Sequence, residues 1–200
     1  LMLSCGKKEN NDSRKTFNIN LDQNLTSLDP AFARNQNAIW MINQVFNGLV
    51  QVDSALNTIP CIAKTWTISA DNLTYTFNLR DDVYFHDDPL FENGKGRKVI
   101  ASDFAYSFNR LLDEKVASPG GWIMQNVENF KATNDTIFEI NLKKSFPAFL
   151  GLLSMKYASV VPKEAFETAN YDFRINPIGT GPFQFKLWEE NVKLVLRKNL

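Results

Sequence analysis

Alternation of apolar and polar positions marks most of the strands this chain is expected to form. Phe17-Asn18-Ile19-Asn20-Leu21 alternates with the period of a strand that has one buried face. Trp66-Thr67-Ile68-Ser69 and Tyr75-Thr76-Phe77-Asn78-Leu79 flank the polar turn Ala70-Asp71-Asn72, the pattern of a β-hairpin. Asn134-Asp135 opens another strand, Thr136 to Leu142, and Ala158 to Val161 reads as a short strand before Pro162. A second hairpin is expected from Phe183-Gln184-Phe185-Lys186-Leu187 and Val192-Lys193-Leu194-Val195-Leu196, joined through Trp188-Glu189-Glu190-Asn191.

Helical spacing appears elsewhere. From Gln36 the apolar residues Ile39, Ile42, Phe46 and Leu49 share a face, and Asn47-Gly48 supplies a stop. Ser102 can cap a helix whose buried stripe is Phe104, Phe108, Leu111 and Leu112. Pro147 can open a buried helix within Phe146 to Leu153. The turn-rich stretches Phe85 to Lys98 and Ala117 to Trp122 are expected as loops, the first of them exposed. The chain is therefore mixed α/β, with no internal repeat.

Composition narrows what such a chain can do. Of its 200 residues 44% are hydrophobic, enough to bury a core. Twenty-two Lys and Arg balance 22 Asp and Glu, which leaves no field to gather nucleic acid or acidic lipid. No apolar run reaches the roughly eighteen residues of a membrane-spanning helix.

The two cysteines are too few for a disulfide framework, and neither lies in a C-x-x-C pair. Cys61 sits in Ile59-Pro60-Cys61-Ile62-Ala63 and is expected to act as a small buried hydrophobe. Cys5 follows Leu1-Met2-Leu3-Ser4 and precedes Gly6 and a polar run from Lys7 to Lys15. That arrangement resembles the cleavage site of a bacterial lipoprotein signal peptide, with Met2 where such sites usually carry Leu and most of the apolar segment outside this chain. On this reading Cys5 carries lipid and residues 1–15 are a tether; the alternative is a cysteine with no role at a frayed terminus.

Little in the sequence suggests catalysis. The single histidine, His86, lies beside Asp87 and Asp88 in a loop, where a solvated turn is the simpler reading than a metal site. No second histidine completes a zinc site, and no Ser or Cys occupies a nucleophile elbow. Gly179-Thr180-Gly181 is followed by Pro182 and a strand pattern, where a phosphate-binding loop requires a helix N-terminus. Asp81-Asp82 and Glu189-Glu190 read as surface charge, since neighbours on a strand point apart. We expect no catalytic residue, no metal and no cofactor.

A series of segments taken in order carries more information. They are Leu28-Asp29-Pro30, Val45-Phe46-Asn47-Gly48-Leu49-Val50, Ile59 to Trp66, Tyr75 to Asp87, Ala101-Ser102-Asp103-Phe104-Ala105-Tyr106-Ser107-Phe108, and Gly179-Thr180-Gly181-Pro182-Phe183. Over about residues 28 to 185 the chain resembles the peptide-binding family of extracytoplasmic solute-binding proteins that feed ABC importers. The resemblance implies a periplasmic-binding-protein-like first lobe with an inserted β-rich subdomain. Residues 16–50 and 172–200 would belong to the ligand-binding lobe and 51–171 to the insertion. The second lobe, which supplies the acidic group that pairs with a ligand's amine, would lie outside these 200 residues, leaving half a cleft with an open face.

In peptide binders of this family the segment after Leu-Asp-Pro pairs its backbone with an extended ligand, a form of β-augmentation. That puts Arg34, Asn35 and Gln36 at the cleft, the alternative being a solvated loop before a helix cap. Some members line the site with an aromatic directly after Ser-Pro; here Ser118-Pro119 is followed by Gly120, and Trp122 is the candidate substitute. Asp88 stands where the family usually has glycine. The implied partners are a peptide ligand, an ABC transporter permease and, through Cys5, the membrane surface. The implied state is a monomer in the bacterial cell envelope, extracytoplasmic and lipid-anchored, without nucleic acid. A nickel chelate, haem or sugar is the alternative ligand class. An envelope hydrolase relying on His86 and a surface adhesin are further alternatives.

Overall fold

The structure is a computed structural model that describes residues 15–199. Its centre is a four-stranded antiparallel sheet in the order β3-β4-β6-β5, formed by β3 (Ala63–Ile68), β4 (Thr74–Leu79), β5 (Val127–Asn134) and β6 (Ile137–Leu142). The expected alternation is realised on one face. Tyr75, Phe77 and Leu79 of β4 and Phe138, Ile140 and Leu142 of β6 are all buried, with Phe77 opposite Phe138 and Tyr75 opposite Ile140. Helix α2 (Ala101–Leu112) covers that face, and Phe108 meets Phe138 and Phe130 edge-on at 5.5 and 5.6 Å between centroids.

The hairpin between β3 and β4 forms as its sequence predicts. Strand β5 escaped sequence reading, because Val127 is its one fully buried side chain and the rest shows no clean alternation. Asn134 consequently ends β5, Asp135-Thr136 is the turn, and the strand expected from Thr136 to Leu142 is β6. Helix α2 begins at Ala101, so Ser102 is inside it; the Asp103 carboxylate accepts the Ile100 amide at 2.9 Å in place of a serine cap. Leu112 is exposed rather than part of the buried stripe, since the helix ends there and turns it to solvent.

Helix α1 (Gln36–Val45) buries Ala38, Met41, Ile42 and Val45, with the Asn35 side chain accepting the Ala38 amide at 2.8 Å. It is followed by the short pair β1 (Val50–Val52) and β2 (Thr58–Pro60), each too brief to leave a periodic signal. Helix α3 (Phe149–Leu153) is shorter than the apolar run suggests. Ala158 to Val161 makes only an isolated bridge, Ser159 to Gly48, plus the Val160 amide on Asn47 O at 3.0 Å. Helix α4 (Glu164–Glu167) precedes the last hairpin, β7 (Phe183–Glu189) and β8 (Lys193–Lys198), which pair with each other alone.

Phe17 to Leu21 forms no strand: no partner among the described residues pairs with it, and Phe17 is 87% exposed. Cys5, the expected lipid site, lies outside the described residues. No helix among the described residues is long and apolar enough to cross a membrane.

Candidate functional site

Two surfaces merit comparison as sites. The first begins at Leu28-Asp29-Pro30. Pro30–Phe32 forms a 3-10 turn whose Ala31 amide is accepted by the Asp29 carboxylate at 2.9 Å. The Asp29 carboxylate in turn accepts hydrogen bonds from Arg110 Nη2 at 2.8 Å and Nη1 at 3.3 Å, with both side chains nearly buried. From the following loop the Ser118 hydroxyl donates to Ala31 O at 2.7 Å and accepts the Gly120 amide at 3.0 Å.

The chain then emerges. Arg34 and Gln36 are exposed, whereas Asn35 is half-buried because its side chain caps α1. Of the three residues expected at a cleft, Asn35 thus caps α1, Gln36 is the first residue of that helix, and Arg34 alone lies before both. Trp122 lies in the 3-10 turn Gly121–Met124 and is 47% exposed, a large aromatic surface on the loop that Ser118 ties to Ala31. The Tyr157 ring packs against Gly120, in the room a side chain there would need. Trp40 on α1 is also half-exposed.

The second surface is a polar groove of about 650 Å³ lined by Asn47, Cys61, Arg80, Tyr84, His86 and Gln184 among others. None of Arg34, Asn35, Gln36 or Trp122 lines it. Its charges are largely satisfied within the wall: Arg80 pairs with Asp82 at 2.8 Å and Lys95 with Asp87 at 2.7 Å. Their mutual hydrogen bonds hold the Asp82 and Asp87 carboxyls below the usual range.

His86 is not the exposed turn residue its sequence context suggests. It is 5% exposed, its amide donates to Gly179 O at 2.8 Å, and Nε2 lies 2.9 Å from Gly181 O. Burial pushes its pKa down, so the neutral ring is favoured, with Nε2–H donating and Nδ1 left as a buried acceptor without a protein partner. Asp87 still makes the expected turn, accepting the Gly96 amide at 3.0 Å.

Cys61 is half-buried rather than a full core residue; burial pushes its thiol up. Lys156 is pushed down by burial, the nearby Cys61 acting in the opposite sense. A thiol held protonated and a histidine whose Nε2 is engaged by a backbone carbonyl do not make a nucleophile and base. No group of three potential metal ligands occurs among the described residues. The Gly179–Gly181 segment is a tight seam that leads into a strand. A Cβ at Gly179 would collide with Val45 O, and the Gly181 amide donates to that same oxygen at 2.8 Å, satisfying a carbonyl at the end of α1.

Sequence reasoning missed Asp29, Arg110 and Ser118 as the residues that shape the first surface. Asp29 and Ser118 lay in the Leu-Asp-Pro and Ser-Pro motifs, but Arg110 had no signal, and the contacts themselves bridge 81 and 87 positions.

Residues 57–200 match the family described as bacterial extracellular solute-binding proteins, family 5 middle region. The glutathione-binding protein GsiB of Escherichia coli is 26% identical over 200 residues, covering 99% of this chain and 36% of that protein. Among solved structures, the periplasmic binding protein DppA from Helicobacter pylori in complex with the peptide STSA superimposes with a TM-score of 0.78 at 29% identity, covering 88% of this chain and 37% of that one. NikZ from Campylobacter jejuni in complex with Ni(L-His) gives 0.70 at 33% identity, over 82% of this chain and 31% of its own. The chain spans about a third of the length of the relatives it matches. With well over half of its residues inside the family match and the same mixed α/β architecture, the chain belongs to the bacterial extracellular solute-binding proteins of family 5.

Proposed function

We propose that this chain is part of the solute-binding component of an ABC importer that captures short peptides and delivers them to a permease, without catalysing a reaction. The observation that carries this reading is the superposition on a relative holding a bound peptide over 88% of this chain. The segment at Arg34 and Asn35 supports it: the chain leaves a firmly held turn there, Arg34 is exposed and Asn35 has an extended backbone before Gln36 opens α1, which leaves a short stretch for pairing with an extended ligand. Trp122 would add an aromatic wall from the adjacent loop. Residues 16–50 and 172–200 would form the ligand-binding lobe's share and 51–171 the inserted subdomain, with the cleft closed by a second lobe. Cys5 would anchor the protein to the membrane by lipid, and the working state would be an extracytoplasmic monomer.

Calorimetry of the full-length protein against a pool of peptides of two to about eight residues is expected to give saturable heat. Silence across the pool would end the peptide reading. The NikZ likeness favours a second reading, a metal chelate or other small solute. Native mass spectrometry of co-purified ligand separates the two, because a chelate carries the isotope pattern of its metal. For the anchor, Cys5→Ser should abolish metabolic labelling by a fatty-acid analogue; persistent labelling refutes it.

A further inference from the structure

The turn at Pro30–Phe32 is three residues long, too short to hold its own shape. Its geometry comes from elsewhere in the chain. The Asp29 amide donates to Ser27 Oγ at 3.0 Å and the Asp29 carboxylate accepts the Ala31 amide, so one side chain organises the turn from within. Arg110, near the end of α2, grips that carboxylate with two nitrogens, and its guanidinium lies 3.7 Å from the centre of the Phe166 ring. Eight positions on, Ser118 holds Ala31 O. A single stretch, 110–118, thus clamps the turn at two points.

Stability alone explains this arrangement poorly. A nearly buried ion pair of this kind roughly breaks even against an apolar pair of similar volume, because desolvation of both charges offsets their attraction. What the pair supplies is direction: a planar fork on a carboxylate permits few relative orientations. Downstream the Arg34 amide donates to Phe32 O at 2.7 Å, and Asn35 caps α1, so the course of Arg34–Gln36 is set by where the turn points.

We propose that Arg110 is a positioning residue for ligand capture, which through Asp29 aims the 34–36 backbone toward the ligand. The inference rests on the proposed role of that segment in peptide binding, and the experiment separates the two. In the full-length protein, Arg110→Met, Asp29→Asn and the double variant are compared, with the tetrapeptide Ser-Thr-Ser-Ala as probe. Each single variant is expected to weaken binding about tenfold or more, the double no further than the worse single, and Arg110→Lys to recover part of the loss. Amide hydrogen exchange across 30–36 is expected to quicken about tenfold in the single variants, while the four-stranded sheet keeps its protection.

A lower melting temperature with unchanged affinity and unchanged exchange at 30–36 would overturn the proposal, since that is what a merely structural pair gives. If wild type binds neither the tetrapeptide nor any other peptide of two to about eight residues, the peptide reading fails, and unchanged exchange at 30–36 in the variants overturns the positioning role separately. Should Arg110→Met not fold, the double variant, which buries no lone charge, carries both measurements: unchanged exchange at 30–36 then overturns the proposal and faster exchange supports it.

Discussion

The four-stranded sheet and the β7–β8 hairpin read alike in sequence and end differently. Both alternate apolar and polar residues. In the sheet, β4 and β6 bury every second residue under α2, and the Phe77, Phe104, Phe108 and Phe138 side chains are fully enclosed. In the hairpin the same alternation leaves Phe183 and Leu187 36% and 46% exposed. Alternation therefore announces a strand with an apolar face, whereas burial depends on a covering element that the local sequence cannot announce. The hairpin is held mainly at its root. There Gly181 bonds Val45 O, Thr180 donates to Asn47 Oδ1 at 3.0 Å, and His86 contacts Gly179 and Gly181. One region is stabilised by packing and the other by a seam of hydrogen bonds.

The sharpest test of the packed region is Phe138→Ala. That ring touches Phe104, Phe108 and Phe130, and its removal leaves a cavity the surrounding rings cannot fill. A loss of about 3–5 kcal/mol in denaturant unfolding is expected. A loss under about 1 kcal/mol would mean the sheet and α2 are not packed as described.

Next in size is Gly179→Ala at the root of the hairpin. The added methyl would meet a backbone oxygen, Val45 O, which cannot rotate away. About 2–3 kcal/mol of destabilisation is expected, read by the same unfolding curve, with local exchange quickest at the seam. Neutral behaviour would show that the seam tolerates separation, and the contrast between regions would weaken.

His86 tests the seam through pH. Burial lowers its pKa in the fold below the ordinary 6.5, so the unfolded chain takes up the proton first as pH falls. The stability from the neutral ring is present above about pH 6.5 and is lost as pH falls from there through the folded value. The groups around it oppose one another, Lys186 reinforcing the shift and Asp87 and the Gly181 carbonyl resisting it. Melting temperature should therefore drop between pH 7 and 5 more in wild type than in His86→Gln. Parallel curves for the two proteins would remove the proton from the mechanism of the seam.

These cases show what the sequence could and could not convey. Helices α1 and α2 and both long hairpins were legible because their stripes repeat within a few residues. His86 was read as solvated because its neighbours are turn residues, yet its partner Gly181 is 95 positions away. Strand β5 lies at the sheet edge with mostly exposed side chains and carries little pattern. The ion pair between Asp29 and Arg110 was not legible, because the two lie 81 positions apart and nothing local to Asp29 announces Arg110.

The smallest expected effect separates the two regions most cleanly. Leu187 lies on β7 where the register with β8 shifts, and it is 46% exposed, so its side chain has already kept much of its water. Truncation removes only the buried fraction of three carbons, Cγ and the two Cδ methyls, and no cavity forms where solvent can enter. Leu187→Ala in this 200-residue chain should cost about 0.5 kcal/mol or less. In a longer protein where another element covers the hairpin, the same change should cost about 2 kcal/mol or more, because the site then has to be emptied rather than left wet. Equal losses in the two contexts would show that β7 and β8 stand open in both, and that the exposed alternation of this hairpin is not the mark of a covering partner.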